Sequence, residues 1–501
     1  MTILLQTGDL PKLAQPTIVA VAVVYFAIVA AIGAWATRRT RTASDFFVAG
    51  EGIGLIALTL AAMSATLSGF AFIGGPGLVY AAGLGAMFLI LPATVTSSMT
   101  SWALAKRMRL LAEVREVITV PDAVGARYRS PAAQGLSAVA LLIAVIGYMA
   151  TNLLALGLVI DAIFGTGLVA GVWMGMVIVL AYSVAGGILA GVYTDVFQGS
   201  LMAVASVLVF LFTLKVGGGM GGISNTILAS DPAFLGPFGK MGPLAALSLF
   251  FVFGVGSMGQ PHVIHKFYML RDPRRLKWYP FLVTLALVVT MLLYFGVGVA
   301  TKSLVASGQM APLARPDDAT PVFLLRYVPV WLAALVFSGV AAAIMSTVNS
   351  FMSIGAAAIT HDLPVSFGRK VGNELLWGRL STVAISLAAA VLALLPGAVV
   401  AFLGIFGWGL FASTFVPALA IGLNWEGATR EGAVASILTG LGITLTFETL
   451  SYFKAYSFPT GVSVSGLSLV LSILVFFAVS WLTRDHAAAA LDADVRMVMS
   501  V

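Results

Sequence analysis

"AAMSATLSGFAFIGGPGLVY", residues 61–80, is apolar throughout, yet it is written against a continuous helix. Ser68-Gly69 and Gly74-Gly75-Pro76-Gly77 interrupt it. Glycine weakens a helix by ~1 kcal/mol and an interior proline by ~3 kcal/mol. In lipid a freed backbone group costs more still. Such a break persists only where it lines a cavity or is packed in protein. "FFVFGVGSMGQPHVIHKF", residues 250–267, is broken in the same way by Gly254, Gly256, Gly259 and Pro261. Glycine and proline are common in membrane helices, so one such stretch says little. Two in one chain ask for a common cause.

The surroundings place both stretches in a membrane. The 501 residues are 60% hydrophobic and 9% charged, where a soluble chain carries about 25% charge. Gly52–Ala105 and Leu380–Trp425 carry no charge, and Ala132–Thr194 carries only Asp161. A spanning helix needs ~20 apolar residues, so each run holds two or three. The fold class read from this is an all-α polytopic membrane protein with no separate soluble domain. The chain has no cysteine, which excludes disulfides, zinc–thiolate sites and iron–sulfur clusters.

Thirteen hydrophobic segments follow, near 15–36, 53–81, 84–105, 132–160, 166–188, 194–216, 243–265, 279–301, 327–360, 379–397, 399–424, 432–453 and 463–483. The first lies too deep in the chain, with too little charge before it, for a cleaved signal peptide. With the N-terminus outside and the C-terminus cytoplasmic, twenty of the 27 Lys and Arg fall in inner loops, Lys266 counted among them. That is the positive-inside asymmetry. It accounts for the net charge of +7 without nucleic acid as a partner. The outer loops near 217–242 and 302–326 are long and rich in Gly and Pro, and the tail after Arg484 reads as short, polar and without fixed structure.

The two broken segments are the second and the seventh, five apart. Transporters built from two inverted five-helix repeats bind their substrate between discontinuous helices in corresponding positions. A second signal lies in "AAAIMSTVNSFMSIG", residues 341–355, where Ser346, Thr347, Asn349, Ser350 and Ser353 crowd a charge-free helix. Positions 343, 346, 347 and 350 share one helical face. Carbonyls freed by a break, facing two hydroxyls, make an oxygen cage suited to a hard cation. Hydroxyls in membrane helices also bond to their own backbone or to a neighbour, and Asn349, Ser350 and Ser353 read as packing.

Several ordered motifs resemble the sodium:solute symporter family: "SDFFVAGEGIG" (44–54), "SGFAFIGGPGLVY" (68–80), "GGILAGVYTDVFQGSLM" (186–202), "GQPHVIHKF" (259–267), "AAAIMSTVNS" followed by "THDL" (341–363), and "GLNWEGATREGAVAS" (422–436). The likeness runs from about residue 15 to 483. It implies a LeuT-type fold with an inverted five-helix repeat. The divisions are 1–52 for an additional N-terminal helix and cytoplasmic loop, 53–425 for the ten-helix transport core, 426–484 for two further helices and 485–501 for a cytoplasmic tail. The resemblance implies Na+ as coupling ion, held by the carbonyls of Ser64, Leu67 and Ala343 and the hydroxyls of Ser346 and Thr347. It puts Asp195 of "TDVFQ" on the cytoplasmic path by which sodium leaves; a residue at that place could equally cap a helix at the inner interface.

The solute pocket is expected beside the breaks. Its candidates are Ser68, Gly69, Phe72, Tyr148, Asn152, Phe253, Ser257, Gln260, Phe406 and Trp408. His262 reads as a structural histidine with its hydrogen bonds met. The proline-transporting branch carries Asp at the position of Thr66, Trp at Phe253 and Tyr at Ser257. All three differ here, which speaks against proline, and the "FIGGPG" turn is somewhat closer to the pantothenate-type members.

The function expected is secondary active symport, driven by sodium, that imports a small organic solute of the carboxylate, vitamin, amino acid or sugar class across the plasma (inner) membrane. Beyond sodium no metal and no organic cofactor is called for, and membrane lipid is the other partner. Proton coupling, and a uniporter or channel on the same scaffold, are the alternatives. An enzyme is not indicated: the four histidines show no metal spacing and buried carboxylates are scarce. A sensor would need a signalling domain, for which the tail has no room.

Overall fold

A computed structural model describes residues 16–38, 54–66, 68–268, 277–395, 400–456, 458, 461–486 and 491–500. Among them there are helices and turns but no strand. Among the described residues ten helical stretches are long and apolar enough to cross a membrane, and Pro16–Ile32, Leu55–Ser64 and Leu168–Ala181 are shorter apolar helices. The sequence divides 166–188 from 194–216, but the structure runs one 49-residue helix from Leu168 to Val216. At 1.5 Å per residue this is ~74 Å of helix, more than twice a ~30 Å hydrocarbon core. The long helix therefore carries two crossings' worth of chain. Its first part packs on the helix Pro131–Phe164, where Gly171 meets the Gly157 backbone. Its second part packs on the helices Tyr279–Ala306 and Val330–Ala357, through Phe210 at Gly296 and Leu201 at Gly339.

Both broken helices are present, and they break differently. In the first, helix Leu55–Thr66 ends before Ser68, a wide π-turn covers Phe70–Gly74, and helix resumes at Gly75–Ala82. The Ser68 hydroxyl accepts the Phe70 N–H at 3.2 Å, which supplies one bond the missing turn would have made. The glycines from 75 onward are helical, against the sequence expectation that they belong to the break. Pro76 sits in the first turn, where its missing N–H costs nothing. Gly75 is needed for close approach, since a Cβ there would fall 1.8 Å from the Tyr294 ring. In the second, helix Pro243–Val255 tightens into a 3-10 turn at Gly256–Gly259. Gln260 is extended, and helix restarts at Pro261–Phe267.

Two outer segments read as loops contain helices Gly219–Ser230 and Ala319–Tyr327. The tail is not structureless: Ala493–Met499 is helical and buries Val495 and Val498. Arg115 pairs with Asp492 and, at 2.7 Å, with Asp494, while Arg129 reaches Asp492 at 3.1 Å. The tail thus docks on the 106–129 segment. Arg127, fully buried, donates to the carbonyls of Gly422 at 2.7 Å and Trp425 at 3.1 Å, capping the end of the helix that begins at Val400.

Candidate functional site

Helix Val330–Ala357 is buried over the whole of 341–357. It is walled by the long helix and by the second half, Pro261–Phe267, of the second broken helix, and these three elements converge on one carboxylate. Ser346 donates its hydroxyl proton to Asp195, and the Lys266 ammonium donates to the other Asp195 oxygen at 2.8 Å. Asp195 and Lys266 are both about 1% exposed. Removing two charges from water costs several kcal/mol per ion, recovered only with good geometry and further hydrogen bonds. The Ser346 bond is such a further bond.

This changes two expectations. Asp195 was expected on the release path, away from the sodium ligands; it is in direct contact with one of them. Nor does it cap a helix, because Thr194 and Asp195 lie in the interior of the long helix. Lys266 is not a loop residue. It belongs to helix Pro261–Phe267 and is buried. Lys266 is the member of this cluster that reading the sequence missed. Its signal was visible as the one charge inside "SMGQPHVIHKF".

Of the five expected sodium ligands, Leu67 lies outside the described residues. Ser64 is buried on the first half of the first broken helix, its hydroxyl against the Met202 sulfur at 3.8 Å. Met202 is seven residues from Asp195, so both share a face of the long helix. Thr347 donates to the Ala343 carbonyl at 3.0 Å. Its lone pairs and those of Ser346 can still accept a cation while the protons stay engaged. Asn349 is buried one turn on, with neither side-chain polar atom hydrogen bonded. Tyr25, on the first helix, closes the cluster: it accepts from Gln198 at 2.9 Å and touches Met345 at 3.8 Å.

The pocket candidates fall into two groups. Around the first break, Ser68 and Tyr148 hydroxyls lie 3.3 Å apart, and the Gly69 N–H donates to Asn152 at 2.8 Å. A Cβ on Gly69 would stand 2.6 Å from Ala155, so this approach requires glycine. Phe253 stacks between Phe70 at 5.8 Å and Trp408 at 4.9 Å. Gln260 donates to the carbonyls of Gly256 and Trp408, and its own carbonyl oxygen is unpartnered. Ser257 is committed elsewhere: its hydroxyl bonds Thr96, Thr100 and Gly254. Phe406 is half-buried and packs on Gly147. Phe72 is buried, and its carbonyl accepts from Thr320 at 2.8 Å.

His262 departs from its expected role. It is buried among Tyr148, Phe351 and Trp408, and neither ring nitrogen has a hydrogen-bond partner. A buried polar group without a partner costs about 1–3 kcal/mol, so the ring and the Gln260 oxygen are polar atoms held ready inside an aromatic wall.

The segment that follows helix Tyr279–Ala306 packs against the first break. Thr320 holds Phe72, and Asp317 accepts the Val400 N–H at 3.1 Å. Burial pushes the Asp317 carboxyl up to about 6; Asp318 beside it adds to this, while the Val400 N–H and Arg315 oppose it.

Known proteins match this arrangement along its length. The osmoregulated proline transporter OpuE of Bacillus subtilis (strain 168) is 29% identical, over 93% of this chain and 95% of its own. The sodium/proline symporter of Escherichia coli (strain K12) is 26% identical, over 95% and 97%. A Na+-coupled sialic acid symporter, solved in a substrate-bound outward-open state, superposes with a TM-score of 0.77 at 17% identity, covering 94% of this chain and 98% of that one. Mhp1, a nucleobase-cation-symport-1 family transporter, gives 0.54 at 12% identity, over 91% and 98%. The all-helical architecture is thus of the LeuT type, and the chain is a multi-pass integral membrane protein and not an enzyme. A model of the sodium:solute symporter family matches residues 46–440, well over half the chain, and on that match the chain belongs to the sodium:solute symporter family.

Proposed function

We propose that this protein imports a small organic solute by alternating access, driven by sodium, with the ten-helix core at 53–425 doing the work. The observation that carries the reading is the shared hydroxyl of Ser346, which stands on the face of Ala343 and Thr347 and also bonds Asp195. Sodium would sit between the carbonyls of Ser64, Leu67 and Ala343 and the two hydroxyls. Asp195, drawing the Ser346 proton, raises the electron density of that oxygen as outer-shell partners do at ion sites. Lys266 balances the carboxylate, so the cage keeps room for a monovalent ion held loosely enough to leave. Movement of the inner half of the second broken helix would carry Lys266 away and uncover Asp195 on the way to the cytoplasm.

The solute would lie between the breaks, against Phe253 and Trp408. Gln260, His262, Tyr148 and Ser68 would supply hydrogen bonds. None of these groups is a fixed charge, which favours a small zwitterionic or neutral compound with an apolar part, within the carboxylate, vitamin, amino acid or sugar classes. The relatives' proline is one such compound, and the altered residues at Thr66, Phe253 and Ser257 weigh against it.

Inward sodium movement down about −100 mV and a tenfold gradient supplies about 3.7 kcal/mol. That sustains roughly several-hundredfold accumulation of a neutral solute. Uptake into proteoliposomes should rise with an imposed sodium gradient; uptake that only equilibrates and ignores the gradient would instead indicate a uniporter. Proton coupling is the second reading, favoured by the same Asp195–Lys266 pair, which could exchange a proton; a proton gradient that drives uptake without sodium would select it. An outside N-terminus and a cytoplasmic C-terminus in the plasma membrane complete the proposal. The tail helix docked on the basic 106–129 segment supports putting the tail and that segment on one side of the membrane.

A further inference from the structure

A second polar cluster lies away from the transport site, where helix Val120–Tyr128 meets the far end of the helix that carries Ser346. Its members are Asp122, His361 and Asp362, whose ligand atoms all lie within 4.8 Å of one another. The His361 Nε2 and an Asp122 oxygen are 2.9 Å apart. Gln134 donates to the other Asp122 oxygen at 2.6 Å. The Ile118 N–H contributes a long 3.4 Å contact to the Asp122 oxygen that faces His361. Thr119 holds one Asp362 oxygen, and the same hydroxyl accepts the Asp122 N–H at 3.0 Å. The second Asp362 oxygen is buried and has no hydrogen-bond partner, although Asp362 is 0% exposed.

Charge makes the cluster incomplete. Two carboxylates face one imidazole, and among the described residues no Lys or Arg pairs with either. A buried carboxylate oxygen without a donor is costly, and a neighbouring carboxylate adds repulsion. Gln134 and Thr119 fix the two carboxylates from behind, as outer-shell groups fix metal ligands. An imidazole nitrogen with two carboxylate oxygens is a donor set for a borderline divalent cation. Adjacent ligands on a tetrahedral ion, at bonds of ~2.1 Å, stand ~3.4 Å apart, so the 2.9 Å His361–Asp122 hydrogen bond has only to open slightly to admit the ion.

We propose that Asp122, His361 and Asp362 bind a divalent transition-metal cation of the zinc or manganese kind, with water completing the shell. The site ties the segment before helix Pro131–Phe164 to the end of the hydroxyl helix. Occupancy therefore braces the helix that presents Ser346 and Thr347, without touching sodium.

The test uses the full chain, purified in detergent and stripped with EDTA. Titration with zinc or manganese should bind one ion per chain by calorimetry and raise the unfolding temperature, while magnesium at the same concentration should do neither. His361→Gln and Asp362→Asn should each weaken binding at least tenfold; Asp122→Asn serves as the second carboxylate variant should Asp362→Asn not insert. The readout is binding, so it stands or falls independently of transport. Absence of binding to the wild type overturns the proposal, as does equal binding by the wild type and the folded variants. A wild type that ignores metals but gains stability on acidification also overturns it, since the cluster would then hold a shared proton.

Discussion

Asp195 and Asp362 are both carboxylates buried in a membrane transporter, and they are treated in opposite ways. Asp195 has a donor on each oxygen, one of them a cation. Asp362 has a hydroxyl on one oxygen and nothing on the other. A buried charge is retained either because its partners are complete or because something outside the chain completes them. Asp317 stands between the two, with one backbone N–H for a partner and a half-buried Asp318 beside it.

The sharpest way to break the contrast is to make Asp195 resemble Asp362. Lys266→Met removes the cation and leaves a buried carboxylate unpaired. Stability should fall by about 3–5 kcal/mol, read as loss of the unfolding transition or of insertion. Adding Asp195→Asn to Lys266→Met should restore much of it. A double variant as unstable as Lys266→Met would mean that the lysine acts through packing and not through the pair.

Asp317 should show its incomplete partnering as pH dependence. Its folded pKa, about 6, lies above the usual 3.8. The folded state therefore binds more protons between those values. The stabilisation is full below about 3.8 and is lost as pH rises through about 6. Two pKa units correspond to at most about 2.7 kcal/mol. Thermal unfolding should weaken across that window in the wild type and not in Asp317→Asn.

The next effect tests the hydroxyls beside Asp195. Thr347→Ala should raise the sodium concentration for half-maximal uptake by about 10- to 100-fold, by analogy with a lost partner to a charged group. Thr347→Ser keeps the oxygen and should be nearly silent. Asp362→Asn should then reverse the sign: in metal-free protein it relieves an unmatched carboxylate and should raise stability by about 1 kcal/mol. Smallest of all, Ser350→Ala should change sodium dependence by less than about twofold, since this residue is expected to pack and not to touch the ion.

Much of the fold was legible because lipid forbids irregular backbone. Runs without charge gave the spans, and Gly and Pro inside them gave the breaks. The continuity of the long helix was not legible, because the two expected segments end at 188 and start at 194 while the backbone stays helical between them. Serines and threonine on one face singled out the helix that holds the buried polar cluster, and its neighbours could not be read from it. That Asp195 would meet Ser346 depends on contacts 151 residues apart. Lys266 was counted as a loop charge because a loop is where a lysine near a span's end usually lies. His262 was expected to be satisfied, as most buried histidines are; its empty nitrogens depend on which rings surround it. The tail was discounted for its polarity, yet that polarity is what docks it: Asp492 and Asp494 meet Arg115.

The first helix, Pro16–Thr37, has a consequence for how separable the repeat is. Tyr25 from that helix serves Gln198 on the long helix and touches Met345, the residue before Ser346. A protein trimmed of this helix would leave the Gln198 amide without the Tyr25 phenol, and in hydrocarbon no water can take the phenol's place. This first helix is, in engineering terms, a non-removable gasket: any minimal version of this transporter has to keep it or replace Gln198 with an apolar side chain.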